Sequence, residues 1–364
     1  MNILFAGGGT GGHLYPAVAM AAELLKASPG TSVSFAGTPN GIEASEIPRL
    51  GYRLHLLAAR GLKRGKTVGA VFGNLGVLAD FVRAVFHAAA ILGRESPDVV
   101  VGTGGFVSAP VLLAAQLQGR KTLIQEQNAF PGVTTRLLSV LATEIHLSFE
   151  ESRRFIWRKR GVFVTGNPAR GFAPEDAGIS RTRFGLSGEL PTLLVFGGSR
   201  GARSINDAFL RFSGQLAGKV NLIWQTGSLD YQRIRDQVSP SETIWLGPYI
   251  EEMGTAYAAA DLVVCRAGAS TIAELTNLGK ASLLVPYPHA TGDHQRRNAE
   301  ALVRKGAAVM TDDTQVGSGQ TLETVFRLLG ERRERERMGA ASRSQGHPEA
   351  AARLASRIMA LSKL

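Results

Sequence analysis

The chain reads Leu4-Phe5-Ala6-Gly7-Gly8-Gly9-Thr10-Gly11-Gly12-His13 near its start, which is a short apolar run followed directly by a glycine-rich turn. The same pattern returns about half a chain later as Leu194-Val195-Phe196-Gly197-Gly198-Ser199-Arg200-Gly201-Ala202. Each apolar run predicts a buried parallel strand, and each glycine turn leads into a segment with helical periodicity. Such a turn points backbone N–H groups and the positive end of the helix dipole at one spot, which suits a diphosphate. The repeat therefore predicts two similar α/β domains with phosphorylated ligands between them.

Short apolar runs alternate with helical segments over the whole chain, which predicts two Rossmann-like, doubly wound parallel-sheet domains that face each other across a cleft. We expect strands at residues 2–6, 33–37, 54–57, 98–102, 121–125 and 143–147, and again at 192–196, 220–225, 242–246, 261–265, 281–285 and 307–310. Gly166-Asn167-Pro168 and the polar stretch after it mark the junction, so the domains are expected at 1–165 and 166–345. The last segment, 346–364, has helical periodicity and is expected to join the first domain.

Composition indicates a globular protein with a basic surplus. The 364 residues include 41 Lys and Arg against 30 Asp and Glu, a formal net charge of +11, and a single cysteine. One cysteine excludes an internal disulfide and a multi-cysteine metal site. Because no nucleic-acid-binding pattern accompanies the charge, we expect phosphorylated substrates, an anionic membrane or simply a basic surface. No signal peptide is expected, and the apolar stretch at 67–79 ends at Asp80, too short to span a bilayer.

Two glycine loops are candidate binding sites in the first half. Gly7, Gly9 and Gly12 match the Gly-x-Gly-x-x-Gly pattern of dinucleotide enzymes. Those enzymes also need an acidic residue at the end of the second strand, whereas the first acid here is Glu43, so NAD is not expected. A second glycine cluster at 102–110 follows another predicted strand. Both loops are expected at the carboxyl edge of one sheet, where open α/β sheets bind ligands, although tight turns alone would explain the glycines.

Polar residues follow the predicted strands at the same edge. His13 falls in the first turn of the first helix, where a bound phosphate or hydroxyl would sit, and histidine is a frequent general base near neutral pH. Glu126-Gln127-Asn128 directly follows another apolar strand. A lone histidine is more often structural, so the residues by themselves leave the role of His13 open.

The second half contains Arg266-Ala267-Gly268-Ala269-Ser270-Thr271-Ile272-Ala273-Glu274 after a predicted strand. Its small residues predict a helix N-terminus that can receive a diphosphate, with Glu274 placed to accept both hydroxyls of a ribose. Alternatively, Ser270 caps the helix and Glu274 reaches back to it. Asp293-His294-Gln295-Arg296-Arg297-Asn298 opens another helix and offers polar groups for sugar hydroxyls. Because the chain contains no Asp-x-Asp, we expect helix dipoles, amides and arginines to stabilise a leaving diphosphate without a metal ion.

Six motifs in order resemble the MurG family over nearly the whole chain: Gly8-Gly9-Thr10-Gly11-Gly12-His13, Gly104-Gly105-Phe106-Val107-Ser108, Glu126-Gln127-Asn128, Gly166-Asn167-Pro168-Ala169-Arg170, Gly197-Gly198-Ser199-Arg200-Gly201-Ala202-Arg203 and the segment 268–274. The resemblance implies a GT-B fold and an inverting transfer of GlcNAc from UDP-GlcNAc to the 4-hydroxyl of undecaprenyl-pyrophosphoryl-MurNAc-pentapeptide. This reaction converts lipid I to lipid II in peptidoglycan synthesis, at the cytoplasmic face of the bacterial membrane. The resemblance implies no cofactor, and cell-wall synthesis proteins as further partners.

Carried onto matching positions, the resemblance assigns the acceptor and the membrane to the first domain and the donor to the second. It implies donor contacts at Thr10, Gly11, Gly12, Asn128, Arg170, Ser199, Ile250, Ala269, Ser270, Thr271, Ile272, Ala273, Glu274 and Gln295. It implies acceptor-diphosphate contacts at Gly9, Gly104, Gly105 and Ser108, with His13 and Glu126 as candidate catalytic residues. Two positions depart from the family: Phe106 stands where tyrosine is frequent, and Gln125 stands where histidine is common, which removes that histidine as a base.

A basic cluster precedes an apolar segment with helical spacing and predicts a membrane contact. The cluster is Arg60, Lys63, Arg64 and Lys66, and the aromatic residues Phe72 and Phe81 lie in the segment that follows. Basic residues beside an apolar helix face suit an anionic bilayer, on which a polyprenyl acceptor resides. The alternative is a solvated loop followed by an ordinary core helix.

Two other functions are compatible with the same binding motifs. An enzyme similar to UDP-GlcNAc 2-epimerase would bind the same donor without a lipid acceptor. A non-catalytic subunit that binds nucleotide sugars would need neither an acceptor nor a general base.

Overall fold

The computed structural model describes residues 1–59, 68–187 and 189–363, and for 68–75 it describes the backbone alone. The chain divides into two compact domains. The N-terminal domain comprises Met1–Ala169 and His347–Leu364, and the C-terminal domain comprises Arg170–Gly346. The sequence-based junction, between residues 165 and 166, lies slightly before this division.

The N-terminal domain is a parallel sheet with helices on it. Its strands are β1 (Asn2–Gly7), β2 (Ser32–Gly37), β3 (Arg53–Leu56), β4 (Val99–Gly104), β5 (Lys121–Glu126), β6 (Glu144–Leu147) and β7 (Val162–Val164). Its helices are α1 (Gly11–Ala27), α2 (Glu43–Arg49), α3 (Val68–Glu95), α4 (Ser108–Leu117) and α5 (Val133–Leu138), followed by a 3-10 helix at Glu150–Phe155 and a C-terminal helix at Ala350–Leu361. The sheet order is β3-β2-β1-β4-β5-β6-β7. The chain adds β2 and β3 on one side of β1, and then β4 to β7 on the other side. Because β1 and β4 are neighbours at this change of direction, the loops that follow them lie side by side.

The C-terminal helix packs against α1 in the core of the N-terminal domain. Leu354, Ile358 and Leu361 are buried in one apolar cluster with Leu14 and Met20 of α1. On α1 the cluster also contains Ala17, Ala21 and Leu24, so each of the two helices presents a continuous apolar stripe at helical spacing. Burial of a leucine or isoleucine contributes about 1.5–3 kcal/mol, which ties the end of the chain to this domain.

The C-terminal domain repeats the arrangement with fewer strands. Its strands are β8 (Thr192–Phe196), β9 (Asn221–Gln225), β10 (Ile244–Gly247), β11 (Leu262–Cys265), β12 (Ser282–Leu284) and β13 (Val309–Met310). Its helices are α6 (Ala177–Arg183), α7 (Arg203–Leu216), α8 (Tyr231–Arg235), α9 (Met253–Ala259), α10 (Ala269–Leu278), α11 (His294–Val303), α12 (Gly319–Gly330) and α13 (Arg332–Arg343), with a 3-10 helix at Thr291–Asp293. The sheet order is β10-β9-β8-β11-β12-β13, all parallel. Both domains therefore have the predicted Rossmann-like, doubly wound parallel sheet.

Two elements differ from the sequence-based expectation. Strand β7 was not predicted, because it has only three residues and lies at the edge of the sheet, with Phe163 exposed. Helix α3 continues through Asp80 to Glu95, so the expectation that the apolar stretch here is too short to span a bilayer does not hold for the length and composition of this helix. A charged residue does not end a helix when its side chain stays near solvent, and Asp80 forms an ion pair with Arg83 one turn further on.

Part of α3 has the length and composition of a membrane-spanning helix. In the described part of the chain, this holds for the segment Gly76–Glu95, of which 22% is buried. Its buried residues include Ala88, Ile91 and Leu92, which pack in the core of the N-terminal domain. One face of this helix therefore lies on the domain, and the opposite face is exposed.

Candidate active site

The first glycine loop ends at the N-terminus of α1. Thr10 is the N-cap residue in an extended conformation, and its side chain makes no capping hydrogen bond. The amides of Gly11 and Gly12 lie in the first helical turn, where N–H groups have no acceptor within the helix. Gly9 has φ +83°, a conformation that favours glycine. This loop has the geometry of an anion-binding helix N-terminus.

Glu43 holds this loop in place, and the sequence analysis did not assign it a role. Its buried carboxylate accepts the backbone N–H of Gly9 at 2.8 Å, and the N–H and hydroxyl of Thr38 at 2.8 and 2.9 Å. A Cβ on Gly8 or Gly41 would lie 2.3 or 2.2 Å from this carboxylate, so only glycine fits at these positions. Because Glu43 already engages the Gly9 amide, the amides of the α1 N-terminus are the better donors for a phosphate.

The second glycine loop, after β4, lies against the first. A Cβ on Gly105 would lie 2.4 Å from the carbonyl oxygen of Gly8, and one on Gly104 would lie 2.7 Å from Nδ1 of His13. Both glycines have positive φ. Ser108 does not face this loop surface as predicted: it is 1% exposed, and its hydroxyl packs beside Gly102. The structure thus brings Gly104, Gly105 and His13 together and leaves Ser108 in the core.

His13 is half-buried and its ring is held on one side. Its Nδ1 lies 3.0 Å from the carbonyl oxygen of Thr103 and 3.1 Å from Oε1 of Gln127. The hydroxyl of Thr103 in turn donates to the carbonyl oxygen of His13 at 2.8 Å. The first turn of α1 and the end of β4 are therefore joined at this residue.

Glu126 does not have the environment of a general base. Its buried carboxylate accepts four hydrogen bonds: from the backbone N–H and side-chain amide of Asn128 at 3.0 and 3.3 Å, from the N–H of Gly132 at 3.1 Å, and from the hydroxyl of Thr135 at 2.7 Å. These bonds occupy the acceptor positions of the two carboxylate oxygens and leave no lone pair for a substrate proton. Glu126 orders the loop that carries Asn128, so its predicted catalytic role is not supported.

In the C-terminal domain, Gln225 connects the second glycine turn to Ile250. Its side-chain nitrogen donates to the carbonyl oxygen of Gly198 at 3.0 Å, and its oxygen accepts the N–H of Ile250 at 2.8 Å. Ser199 lies exposed in the turn, whereas Ile250 is buried. Sequence reasoning missed Gln225, although its position at the end of β9 was a usable signal.

Glu274 is buried at the N-terminal half of α10. Its two oxygens accept hydrogen bonds from Nε of Arg170 and from the hydroxyl of Tyr257, each at 2.9 Å. Burial, together with the Glu274 carboxylate, holds the pKa of Tyr257 well above its ordinary value, so the phenol keeps its proton and remains a donor. A carboxylate has about four acceptor positions, which leaves capacity for ribose hydroxyls.

The capping alternative for this helix is wrong. The N-cap residue of α10 is Gly268, and no side chain caps the helix. The hydroxyl of Ser270 is buried and has no hydrogen-bond partner within the described part of the chain. Buried hydroxyl groups usually have a partner, so this one marks a position where a ligand acceptor is expected. The neighbouring predicted donor residues, Ala269 and 271–273, form the first turns of the same helix.

Arg266 connects the loops around this helix, which the sequence analysis did not foresee. Its guanidinium donates to Asp313 at 2.5 Å, to the hydroxyl of Ser204 at 3.0 Å and to the carbonyl oxygens of Val285 and Pro286 at 3.2 Å. The predicted donor contact Gln295 lies on α11, and its side-chain oxygen accepts the N–H of Tyr287 at 2.9 Å. These contacts position the loops after β8, β11 and β12 in one arrangement.

Only some of the predicted membrane residues belong to the described part of the chain. Arg60, Lys63, Arg64 and Lys66 lie outside the described residues, and the side chain of Phe72 is also outside them. Phe81 is half-buried. Among the described side chains of α3, the large apolar residues that are exposed are Leu78, Val82 and Phe86, by 58%, 45% and 73%.

Comparisons with known proteins agree on one family. Residues 3–147 match the glycosyltransferase family 28 N-terminal domain, and residues 192–354 match the glycosyltransferase family 28 C-terminal domain. The chain is 64% identical over 363 residues to the UDP-N-acetylglucosamine--N-acetylmuramyl-(pentapeptide) pyrophosphoryl-undecaprenol N-acetylglucosamine transferase of Chlorobaculum parvum, with 100% of each chain covered.

Solved structures show the same relationship. The structure of Acinetobacter baumannii MurG is 29% identical, with a TM-score of 0.79 and 99% of both chains covered. UDP-GlcNAc 2-epimerase from Neisseria meningitidis has a TM-score of 0.66 over 99% of this chain and 100% of its own, but at 15% identity this likeness is one of fold alone. The 64% identity to the Chlorobaculum parvum transferase extends over the full chain, whereas the identity to the epimerase is 15%. The chain therefore belongs to the MurG family of GT-B glycosyltransferases.

Proposed function

We propose that this chain transfers GlcNAc from UDP-GlcNAc to the MurNAc 4-hydroxyl of undecaprenyl-pyrophosphoryl-MurNAc-pentapeptide, the step that forms lipid II in peptidoglycan synthesis. The observation that carries the proposal is the buried Glu274 carboxylate, held by Tyr257 and Arg170 beside the unpartnered hydroxyl of Ser270. A fixed carboxylate accepts ribose hydroxyls, and a helix N-terminus with a free hydroxyl binds a diphosphate. Membership of the MurG family supports the same donor.

We assign the donor to the C-terminal domain. The diphosphate would bind the amides of 269–273 at the start of α10, with the uracil near Ile250 and the sugar near Gln295. The second glycine turn, with Ser199, would add backbone donors. Since these amides are already oriented, they can stabilise the charge of the departing UDP without reorganisation.

We assign the acceptor to the N-terminal domain, with its diphosphate on the loops of Gly11, Gly12, Gly104 and Gly105. The acceptor 4-hydroxyl attacks the anomeric carbon, its oxygen–carbon bond forms, and the carbon–oxygen bond to UDP breaks with inversion. His13 takes the hydroxyl proton, and UDP leaves with the electron pair. The family resemblance implies Gly11 and Gly12 as donor contacts, but we assign their amides to the acceptor diphosphate because Glu43 already engages the Gly9 amide. The other donor contacts that the family implies in this domain are Thr10 and Asn128.

The direct test is release of UDP from UDP-GlcNAc with and without a lipid I analogue. Release that depends on the acceptor, with formation of the disaccharide lipid, is the expected result. Release of UDP together with free N-acetylmannosamine would instead indicate an epimerase. Donor binding without turnover in either condition would indicate a non-catalytic subunit.

Transfer should not need a divalent metal ion. The leaving diphosphate is expected to be stabilised by amides and by the dipole of α10, and neither is removed by a chelator. Among the residues that the structure describes, no group of three or more His, Cys, Asp and Glu could hold a metal ion. We therefore expect assays in excess EDTA to retain most of the activity. Complete loss that magnesium restores would contradict this account.

We propose that the enzyme works at the cytoplasmic face of the membrane, bound peripherally to anionic lipid. Leu78, Val82 and Phe86 form an exposed apolar strip on α3, and Arg83 lies among them. Full insertion of one phenylalanine side chain into an apolar phase contributes about 1.5–3 kcal/mol, and each nearby basic residue adds about 1 kcal/mol. The cluster Arg60, Lys63, Arg64 and Lys66, close in sequence to α3, would strengthen such binding. Cell-wall synthesis proteins remain expected partners.

Vesicle co-sedimentation tests this membrane contact. A variant with Leu78→Ser and Phe86→Ser should bind anionic vesicles at least about tenfold more weakly, because both side chains are largely exposed and lose their apolar contact with lipid. Replacement of the four basic residues by serine should weaken binding mainly at low salt. Leu229→Ser, which changes a leucine of the C-terminal domain that is 74% exposed, is the matched control. Equal sedimentation of all variants at both salt concentrations would exclude this face of α3.

A further inference from the structure

Three buried amide side chains connect His13 to the segment Gly166-Asn167. Gln125, Gln127 and Asn167 are 1%, 2% and 4% exposed, and the transfer reaction described above uses none of them. The side-chain nitrogen of Gln127 lies 2.5 Å from Oε1 of Gln125, and the nitrogen of Gln125 lies 3.4 Å from Oδ1 of Asn167. At the other end, Oε1 of Gln127 faces Nδ1 of His13 at 3.1 Å.

The surroundings of Gln127 determine which way its amide points. Its nitrogen lies 2.7 Å from the carbonyl oxygen of Thr103 and 3.2 Å from that of Gln125, in addition to the side-chain oxygen of Gln125. All three are acceptors, so the NH₂ group has to occupy this position. The oxygen of Gln127 must then be the atom that faces His13.

This orientation decides the tautomer of His13. Nδ1 lies 3.0 Å from the Thr103 carbonyl oxygen and 3.1 Å from the Gln127 oxygen, and neither atom carries a proton. Nδ1 must therefore be the N–H donor to both. A neutral imidazole has only one N–H, so Nε2 keeps its lone pair and is the nitrogen able to accept a proton.

Gln125 is fixed in the same way. Its nitrogen is 3.2 Å from the hydroxyl oxygen of Ser148, and that hydroxyl donates to the carbonyl oxygen of Glu126 at 2.8 Å, which leaves it free to accept. Each residue therefore donates a hydrogen bond to the next one: His13 to Gln127, Gln127 to Gln125, and Gln125 to Asn167. Hydrogen bonds aligned in this way polarise and strengthen one another.

We propose that Gln127 is a positioning residue for the transferase reaction, which holds His13 in the Nδ1–H tautomer with Nε2 as the basic atom, and that Gln125 fixes the orientation of Gln127. The proposal rests on the role of His13 as the base. It also explains how glutamine serves at position 125: its amide supplies an acceptor for Gln127 and a donor for Ser148 and Asn167 at once.

A double-mutant cycle separates positioning from general stability. Gln127→Leu should lower kcat by about 10- to 100-fold, the range observed when a partner that orients a metal-ligating histidine is lost, with little change in KM for UDP-GlcNAc. In a His13→Ala background the same substitution should cause almost no further loss, because there is no imidazole left to orient. Gln116→Leu is the matched control: it removes a half-buried glutamine of the same domain that bonds Leu138 rather than His13, and kcat should stay unchanged.

Nitrogen NMR of ¹⁵N-histidine protein tests the contact without activity. The His13 resonances, identified by their loss in His13→Ala, should show a protonated Nδ1 and an unprotonated Nε2 in the neutral wild-type protein. A predominant Nε2–H tautomer would overturn the proposal, and this measurement needs no folded Gln127 variant.

The kinetic outcomes distinguish the role of His13 as the base from the role of Gln127 in positioning it. Wild-type turnover in His13→Ala would overturn the proposed base and the role of Gln127 with it. If His13→Ala is impaired but Gln127→Leu lowers kcat equally in both backgrounds, the base stands and the positioning role is overturned.

Discussion

Replacement of His13 by alanine should lower kcat for GlcNAc transfer by about two to four orders of magnitude, the usual contribution of a general base. The ring lies at the end of the first glycine loop, beside Gly104, and its Nδ1 side is fully engaged by Thr103 and Gln127. Steady-state kinetics at saturating donor and acceptor analogue measure the effect.

The loss should be confined to the chemical step. The amides of Gly11 and Gly12 do not depend on the imidazole, so KM for the acceptor should change little. His87→Ala, which removes an exposed histidine of α3, should retain wild-type turnover and serves as the control. Near wild-type kcat in His13→Ala would exclude it as the base, and the four hydrogen bonds on Glu126 argue against that carboxylate as the replacement.

Replacement of Glu274 by alanine should weaken UDP-GlcNAc binding by about 1.5–3 kcal/mol, the range for hydrogen bonds to a charged group. In dissociation constants this is about tenfold to somewhat over a hundredfold. The reason is that the variant loses the ribose acceptor and also releases Arg170 from its ion pair. Calorimetric titration with UDP-GlcNAc measures the change.

Two further variants make the Glu274 result specific. Glu323→Ala removes an exposed carboxylate of α12 and should leave donor binding unchanged. Tyr257→Phe removes the buried donor that orients Glu274 but keeps the carboxylate, so a smaller loss of affinity is expected. An unchanged dissociation constant for Glu274→Ala, with the unfolding transition intact, would place the ribose elsewhere.

Short segments of the sequence carried enough information for the fold and for the loops of the site. Each strand that precedes a glycine turn is a continuous apolar run, and such runs form strands covered on both faces. Gly9, Gly104 and Gly198 have positive φ, a backbone conformation that glycine adopts without strain. Because this requirement depends on the single residue, a glycine-rich turn can be predicted from the sequence alone. The sequence did not reveal β7, because three residues at a sheet edge carry almost no periodicity.

By itself, therefore, the sequence determined the two doubly wound sheets, their glycine turns and the family. Only the tertiary structure decided which polar side chains became partners, because the order of strands in a sheet brings together residues that are distant in the chain. Gly9 and Glu43 are 34 residues apart, His13 and Gln127 are 114 apart, and Arg170 and Glu274 are 104 apart. In the same packing, the Glu126 carboxylate accepts hydrogen bonds from its own loop and Ser108 is buried. Burial and hydrogen bonding, which only the tertiary structure shows, therefore distinguish structural residues from candidate catalytic residues.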